Sequence, residues 1–196
     1  MKLHASYTLL KAWNDGTGYE QVVKMYFKLE KFTTRAMATG QEVHKAIAEN
    51  IKEFGRLPSD MGGHKFTSPI VEKLYEVEIN EWLSLKMFAD CIDGEILYDW
   101  KTGAKTSESY AGEKQLPLYG AILGLAGVQV NRGEIHRVDL SPAHKLDTSV
   151  VWLTKEAKQA ALDWALEQAT QIHNYFTENG LYEKYQASRD QSPTRA

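Results

Sequence analysis

Asp90-Cys91-Ile92-Asp93-Gly94-Glu95-Ile96-Leu97-Tyr98-Asp99-Trp100-Lys101-Thr102-Gly103 is the stretch whose reading decides the fold of this chain. Side chains on a strand point to opposite faces with period two. Over residues 95–101 that alternation puts Ile96, Tyr98 and Trp100 on one face and Leu97, Asp99 and Lys101 on the other. Asp93-Gly94 is a strong hairpin-turn dipeptide. It folds the strand ending near Ile92 back against the one starting at Glu95, so that Asp90 approaches Asp99. Two carboxylates, with a lysine two residues beyond the second, therefore form one predicted cluster.

Outward from this hairpin the chain punctuates itself clearly. Residues 6–13 read as a short helix, closed by Asn14-Asp15-Gly16-Thr17-Gly18. Met37, Gly40, Val43, Ile47, Ile51 and Phe54 recur at three- and four-residue spacing and predict a helix over 37–54. Gly55, Pro58, Gly62, Gly63 and Pro69 make 55–69 a loop. Three strands are expected at 71–82, 85–92 and 95–101. A helix over 113–126 follows, with Pro117 tolerated in its first turn and Gly127 as its stop. Residues 134–140 and 148–153 alternate as two further strands. Thr154 N-caps a long helix to residue 176, which Asn179-Gly180 ends. This order predicts an α/β (α+β) chain, a central mixed β-sheet flanked by α-helices. At 196 residues one domain is expected, assigned to 1–185, with a polar, frayed tail over 186–196.

The segment from Met87 to Gly103 resembles the core of the PD-(D/E)XK nucleases, above all their RecB-like and phage exonuclease branch. That branch typically reads Asp, a short hairpin, then Asp-Tyr-Lys-Thr-Gly; here the hairpin ends Asp99-Trp100-Lys101-Thr102-Gly103. Gly40-Gln41-Glu42-Val43-His44 is similar to the branch's helix bearing a metal-binding histidine. Gln115-Leu116-Pro117-Leu118-Tyr119 is similar to its Gln-x-x-x-Tyr helix after the lysine strand. The three pieces stand in the family's order and rough spacing over residues 36–140, which makes the signal specific. The resemblance implies a restriction-endonuclease-like core and a Mg²⁺- or Mn²⁺-dependent deoxyribonuclease. It implies an exonuclease more than an endonuclease, used in DNA recombination, repair or phage DNA processing. DNA is the implied partner, with a helicase, recombinase or single-strand-binding protein as a further one. Two other readings stay open: an endonuclease of restriction or repair type, and a non-cleaving nucleic-acid-binding or helicase-associated subunit. The intact Asp…Asp-x-Lys set argues against a non-cleaving module.

Phosphodiester hydrolysis needs a cation to activate water and to neutralise charge on the phosphate. Mg²⁺ prefers oxygen ligands and keeps several waters, so one or two carboxylates suffice. Asp90 and Asp99 are the expected ligands, and the resemblance implies that the Trp100 carbonyl adds another. Lys101 is expected beside the attacking water, or stabilising charge on the phosphorus. The plain alternative for Asp99 and Lys101 is a cross-strand ion pair on a solvated face. Asp93 competes with Asp90, but Asp93 is explained as a turn former, and the family pattern places the ligand at Asp90. His44 shares a helix face with Gly40, Ile47 and Ile51, so it points inward. Alone it reads as a core histidine; the Gly40-x-x-x-His44 match adds the metal-ligand reading, and imidazole would suit Mn²⁺. Glu78 matches an acid that related nucleases often carry on the preceding strand, although a solvent-facing acidic strand explains it equally. Gln115 and Tyr119 lie one turn apart and face the same way. The resemblance implies that they line the site, Gln115 near the lysine strand and Tyr119 near substrate phosphate. A polar helix start followed by a core aromatic is the alternative.

Composition narrows the field further. Apolar content of 43% and charged content of 25% are those of an ordinary globular protein. No apolar run approaches the ~20 residues a bilayer crossing needs, and no signal-peptide pattern opens the chain, so a cytoplasmic protein is expected. Cys91 is the single cysteine. It rules out an intrachain disulfide, and with it the four-cysteine iron–sulfur cluster that some RecB-like nucleases carry. The net charge of −3 hides an uneven distribution. Lysines or arginines at 2, 11, 24, 28, 31 and 35 outnumber acids at 15, 20 and 30, and could meet phosphates. Acids at 72, 76, 78, 81, 90, 93, 95 and 99 dominate the strand region, which attracts cations. No Gly-rich phosphate loop, Gly-x-Ser-x-Gly elbow or His-Glu-x-x-His helix is present. His4, His64, His136, His144 and His173 are read as no one's ligands.

Overall fold

The computed structural model describes residues 2–30, 34–139 and 146–190, the side chains of 35, 36 and 186–190 excepted. Six strands form one mixed sheet: β1 (Leu3–Ser6), β2 (Ile70–Glu78), β3 (Leu83–Asp93), β4 (Ile96–Lys101), β5 (Arg132–Val138) and β6 (Leu146–Trp152). β1 pairs with β3 and β4 with β5 in parallel; β2–β3, β3–β4 and β5–β6 are antiparallel. The helices are α1 (Tyr7–Asn14), α2 (Tyr19–Phe27), α3 (Arg35–Phe54), α4 (Ser107–Ala111), α5 (Gln115–Leu125), α6 (Lys155–Glu178) and α7 (Leu181–Asp190). The expected mixed sheet flanked by helices is what forms.

The alternation of β4 is what divides the hydrophobic core in two. Leu97 points to a large cluster in which Leu85, Met87 and Ile135 meet Leu116 and Ile122 of α5 and Ala165 and Ile172 of α6. Tyr98 and Trp100 point the other way, onto Ile47 and Ile51 of α3 and onto Leu57 and Phe66 of the following loop. Fully burying side chains of this size stabilises by about 1.5–3 kcal/mol each. Thr34 caps α3 by accepting from the Met37 N–H, and Gly55, at φ +63°, ends it.

The alternation of β3 breaks at one place. Leu83, Leu85, Met87 and Ala89 all face the large cluster, yet Cys91 faces the α3 side. β2 does the same, with Tyr75 on one side and Val71 on the other. The ladder pairs Val71 with Cys91 and Lys73 with Ala89 but skips the pair between them, Glu72 and Asp90. Glu72 has φ +51°, one of two non-glycine residues with positive φ among those described. The other edge of β3 carries β1 along 83–86 and β4 along 91–93. Asp90 therefore stands at the fork where β4 leaves β3.

Four elements depart from the sequence expectation. The chain starts with strand β1 before its first helix, and α2, α4 and α7 form where no helix is expected. Leu181 to Asp190 is helical, so the segment expected to fray begins as a helix; the rest of the tail, 191–196, lies outside the described residues. Leu140, His144 and Lys31 also lie outside them.

Candidate active site

The turn that opens the hairpin is fixed from both sides. Gly94 takes φ +57°, and the Asp93 carboxylate accepts from the backbone N–H groups of Thr67 (2.9 Å) and Ser68 (2.7 Å). Asp93 thus both shapes the turn and anchors the loop after α3. β3 and β4 pair only at 91–93 with 96–98, then part. At the fork Asp90 Oδ2 accepts from the Trp100 N–H at 2.9 Å. A side chain replaces the ladder bond and is held at the parting of the strands.

Asp99 and Lys101 face α5. The side chain of Gln115, in the first turn of that helix, donates from Nε2 to Asp99 Oδ1 (3.0 Å). Its Oε1 accepts from Lys101 Nζ (3.0 Å). Lys101 Nζ also lies 2.8 Å from Asp99 Oδ2. That contact lacks hydrogen-bond alignment, so the buried Oδ2 has an ion-pair neighbour but no hydrogen-bond donor. α5 approaches this closely because β5 offers Gly133 beneath it: a Cβ there would stand 2.6 Å from Leu116 Cδ1. Burial pushes the Asp99 carboxyl up to about 6, helped by the charge of Asp90 and opposed by that of Lys101. Tyr119, one turn beyond Gln115, is raised by burial and by Asp99, and keeps its phenol proton.

His44 reaches the same point from α3. Its Nδ1 is 3.6 Å from Asp90 Oδ1, an ion-pair separation rather than a hydrogen bond. Burial works against the imidazolium, but the carboxylate of Asp90 beside it leaves the His44 pKa raised. α3 packs against the end of the hairpin through Gly40, where a Cβ would stand 2.7 Å from Thr102 Oγ1. The Gly-x-x-x-His and Lys-Thr-Gly pieces are therefore in contact. The side chains open into a groove of about 760 Å³ lined by Met37, His44, Glu72, Phe88, Asp90 and Lys101 among others.

Asp90, Asp99, Trp100, Lys101, Gln115, Tyr119 and His44 are thus brought together. Glu78 is not. It pairs in register with Ser84, six residues from Asp90 and ~20 Å along the strand, and its carboxylate is held by Lys2. The acid opposite Asp90 is Glu72, which sequence reasoning passed over. Its Oε2 lies 2.9 Å from Lys52 Nζ. A signal was present: Asn80 Oδ1 accepts from the N–H groups of Trp82 and Leu83 and makes the turn there. Folding the chain about that turn puts residue 90 opposite residue 72. The other described histidines sit elsewhere, His4 on Glu76 and Ser84, His136 on Glu134, His173 on Tyr182 and His64 against Phe66. Cys91 is fully buried, and burial pushes its thiol up to about 12. Three of the basic N-terminal residues are paired with acids: Lys2 with Glu78, Lys11 with Asp15, and Lys24 with Glu20 and Glu30.

Among the described residues no three His, Cys, Asp or Glu side chains converge as a metal cluster. Two carboxylates near the fork, one with a buried oxygen lacking a donor, nonetheless stand close enough for their charges to interact. That donor set fits a hard cation that keeps most of its waters.

The mixed sheet, its splayed hairpin and the helices around it form a fold that solved structures share at low identity. A candidate exonuclease from Eubacterium rectale superposes with a TM-score of 0.60 at 13% identity, covering 98% of this chain and 90% of that one. An alkaline exonuclease from Laribacter hongkongensis gives 0.52 at 10% identity, over 90% and 93%. A phage-related exonuclease from Haemophilus somnus gives 0.52 at 12%, over 91% and 96%. No family model matches the sequence, and no curated protein matches it. No helix among the described residues is long and apolar enough to cross a membrane.

Proposed function

We propose that this chain is a Mg²⁺- or Mn²⁺-dependent deoxyribonuclease, an exonuclease more than an endonuclease. The observation that carries the reading is Asp90 and Asp99 at the β3–β4 fork, with Lys101 held between Asp99 and Gln115, facing an open groove. Asp90, Asp99 and the Trp100 carbonyl would hold the cation, with His44 beside Asp90 as a further ligand. When bound, the cation supplies an activated water and neutralises charge on the scissile phosphate.

The chain's own residues do the rest. Lys101, an ammonium with three donors, stabilises the charge that grows on the phosphoryl oxygens. Gln115 fixes the Lys101 and Asp99 side chains in one arrangement, so little reorganisation is needed when substrate arrives. Tyr119 stays a neutral phenol, able to donate to a phosphate oxygen. DNA is the proposed substrate, in keeping with the exonucleases whose fold it shares.

The reading is tested by Asp99→Ala and Lys101→Ala in a cleavage assay with Mg²⁺ or Mn²⁺. Loss of cleavage by about 10²-fold or more, with melting temperature kept, is expected. Equal activity in either variant would refute its role.

A further inference from the structure

We infer that, given the nuclease reading above, the groove accepts an unpaired nucleic-acid end, and that Phe88 is the surface on which the base beside the scissile phosphate stacks. Three large apolar side chains are exposed at this one place: Phe88 at 51%, Leu74 at 57% and Met37 at 48%. Phe88 and Leu74 are directly opposite each other in the β2–β3 ladder. They lie on the face turned away from the large core, which takes Met87, Ala89 and Tyr75 instead. The α3 core residues Ile47 and Ile51 cover Tyr98 and Trp100 on that face, and leave the Phe88–Leu74 pair open. A contiguous apolar patch of this kind usually marks a binding surface.

Its position selects the occupant. Phe88 precedes Asp90 by two residues, ~7 Å along the strand, and both line the groove with Lys101. Lys101 favours an anionic group in this groove, and Phe88 favours a flat, apolar one. An unpaired nucleotide has both features. Inside a duplex both faces of a base are covered by its neighbours and only the outer face of the terminal pair is free, so an unpaired base offers a face to Phe88 most readily. Base–aromatic stacking is sequence-tolerant, because every base has a π-face. Met37, one helical turn before Gly40 on α3, lines the same groove and offers a pliable thioether to the base.

The experiment compares wild type, Phe88→Ala and Phe88→Trp on a labelled single-stranded oligonucleotide and a blunt duplex in Mn²⁺. Binding of a single strand carrying 2-aminopurine is followed in parallel in EDTA. Phe88→Ala is expected to raise KM for the single strand about tenfold with kcat within about twofold, while Phe88→Trp restores it. Quenching of 2-aminopurine is expected in wild type and Phe88→Trp and is weakened in Phe88→Ala. Unchanged KM and quenching in Phe88→Ala would overturn the inference and leave the nuclease reading standing. Quenching that depends on Phe88, without cleavage of any DNA in Mn²⁺, would overturn the nuclease reading instead. Self-association lost in Phe88→Ala with no change in KM would assign the patch to a second copy of the chain and overturn the stacking role.

Discussion

Asp99 is a carboxyl group whose burial costs more than Lys101 returns, which is why its pKa sits at about 6. An ordinary aspartate titrates near 4. The folded, metal-free chain therefore binds the Asp99 proton more tightly than the unfolded chain does. That contribution to stability is full below about pH 4 and is lost as pH rises through about 6. Melting temperatures in EDTA should show this decline between those limits in wild type, and Asp99→Asn should lack it. Parallel curves would mean that Asp99 is not desolvated as described. Asp99, Lys101 and Asp90 were legible because a turn dipeptide and a period of two suffice to bring them together. Gln115 was legible as a helix start. Glu72 was not, because its place opposite Asp90 depends on a register set by the turn at Asn80, ten residues before Asp90. Glu78 is an acid on the right strand, but it pairs with Ser84, six residues along from Asp90.

Elements meet at the site through absent side chains and one strained backbone. Gly40 lets α3 approach Thr102, and with it carries His44 to Asp90. Gly40→Ala should reduce cleavage despite the better helix propensity of alanine, and Thr102→Ala in the same chain should recover much of it. Cleavage equal to wild type in the single variant would show that the helix position is not set there. Glu72, at φ +51°, occupies a conformation that costs a β-branched residue more than it costs glycine. Glu72→Gly should hold stability within about 1 kcal/mol, whereas Glu72→Val should lose ~1–3 kcal/mol in urea unfolding. Equal stability of the two variants would argue against the kink. The sequence predicted the helix of residues 37–54 and the three strands because each is long and strongly periodic. It missed β1, which has four residues and exists only because β3 offers it a parallel edge. Nor could it show the skipped pair at Glu72 and Asp90, which arises between strands.

The whole molecule is a sheet between two unequal cores, with the fork on the seam. The larger core extends to the last described helix, where Tyr182, 2% exposed, packs on Phe27 and Phe176 and bonds His173 Nδ1 at 2.8 Å. Tyr182→Ala should cost about 3–5 kcal/mol of stability with little change in the urea m-value. A loss below ~1 kcal/mol would place α7 outside the cooperative unit. No periodicity announced this helix; it is polar along most of its length and is held by one or two aromatic anchors. The mixed sheet and its flanking helices, by contrast, followed from the order of elements alone.

The central claim is that the fork holds the chemistry of DNA cleavage, and one assay addresses it most directly. Purified protein is incubated with end-labelled linear DNA and closed circular DNA in Mg²⁺, Mn²⁺ or EDTA, beside Lys101→Ala. The account predicts loss of the linear DNA alone, only with metal, and none with the variant. Cutting of the closed circle would make the protein an endonuclease. Cleavage that persists in EDTA or in Lys101→Ala would contradict the account.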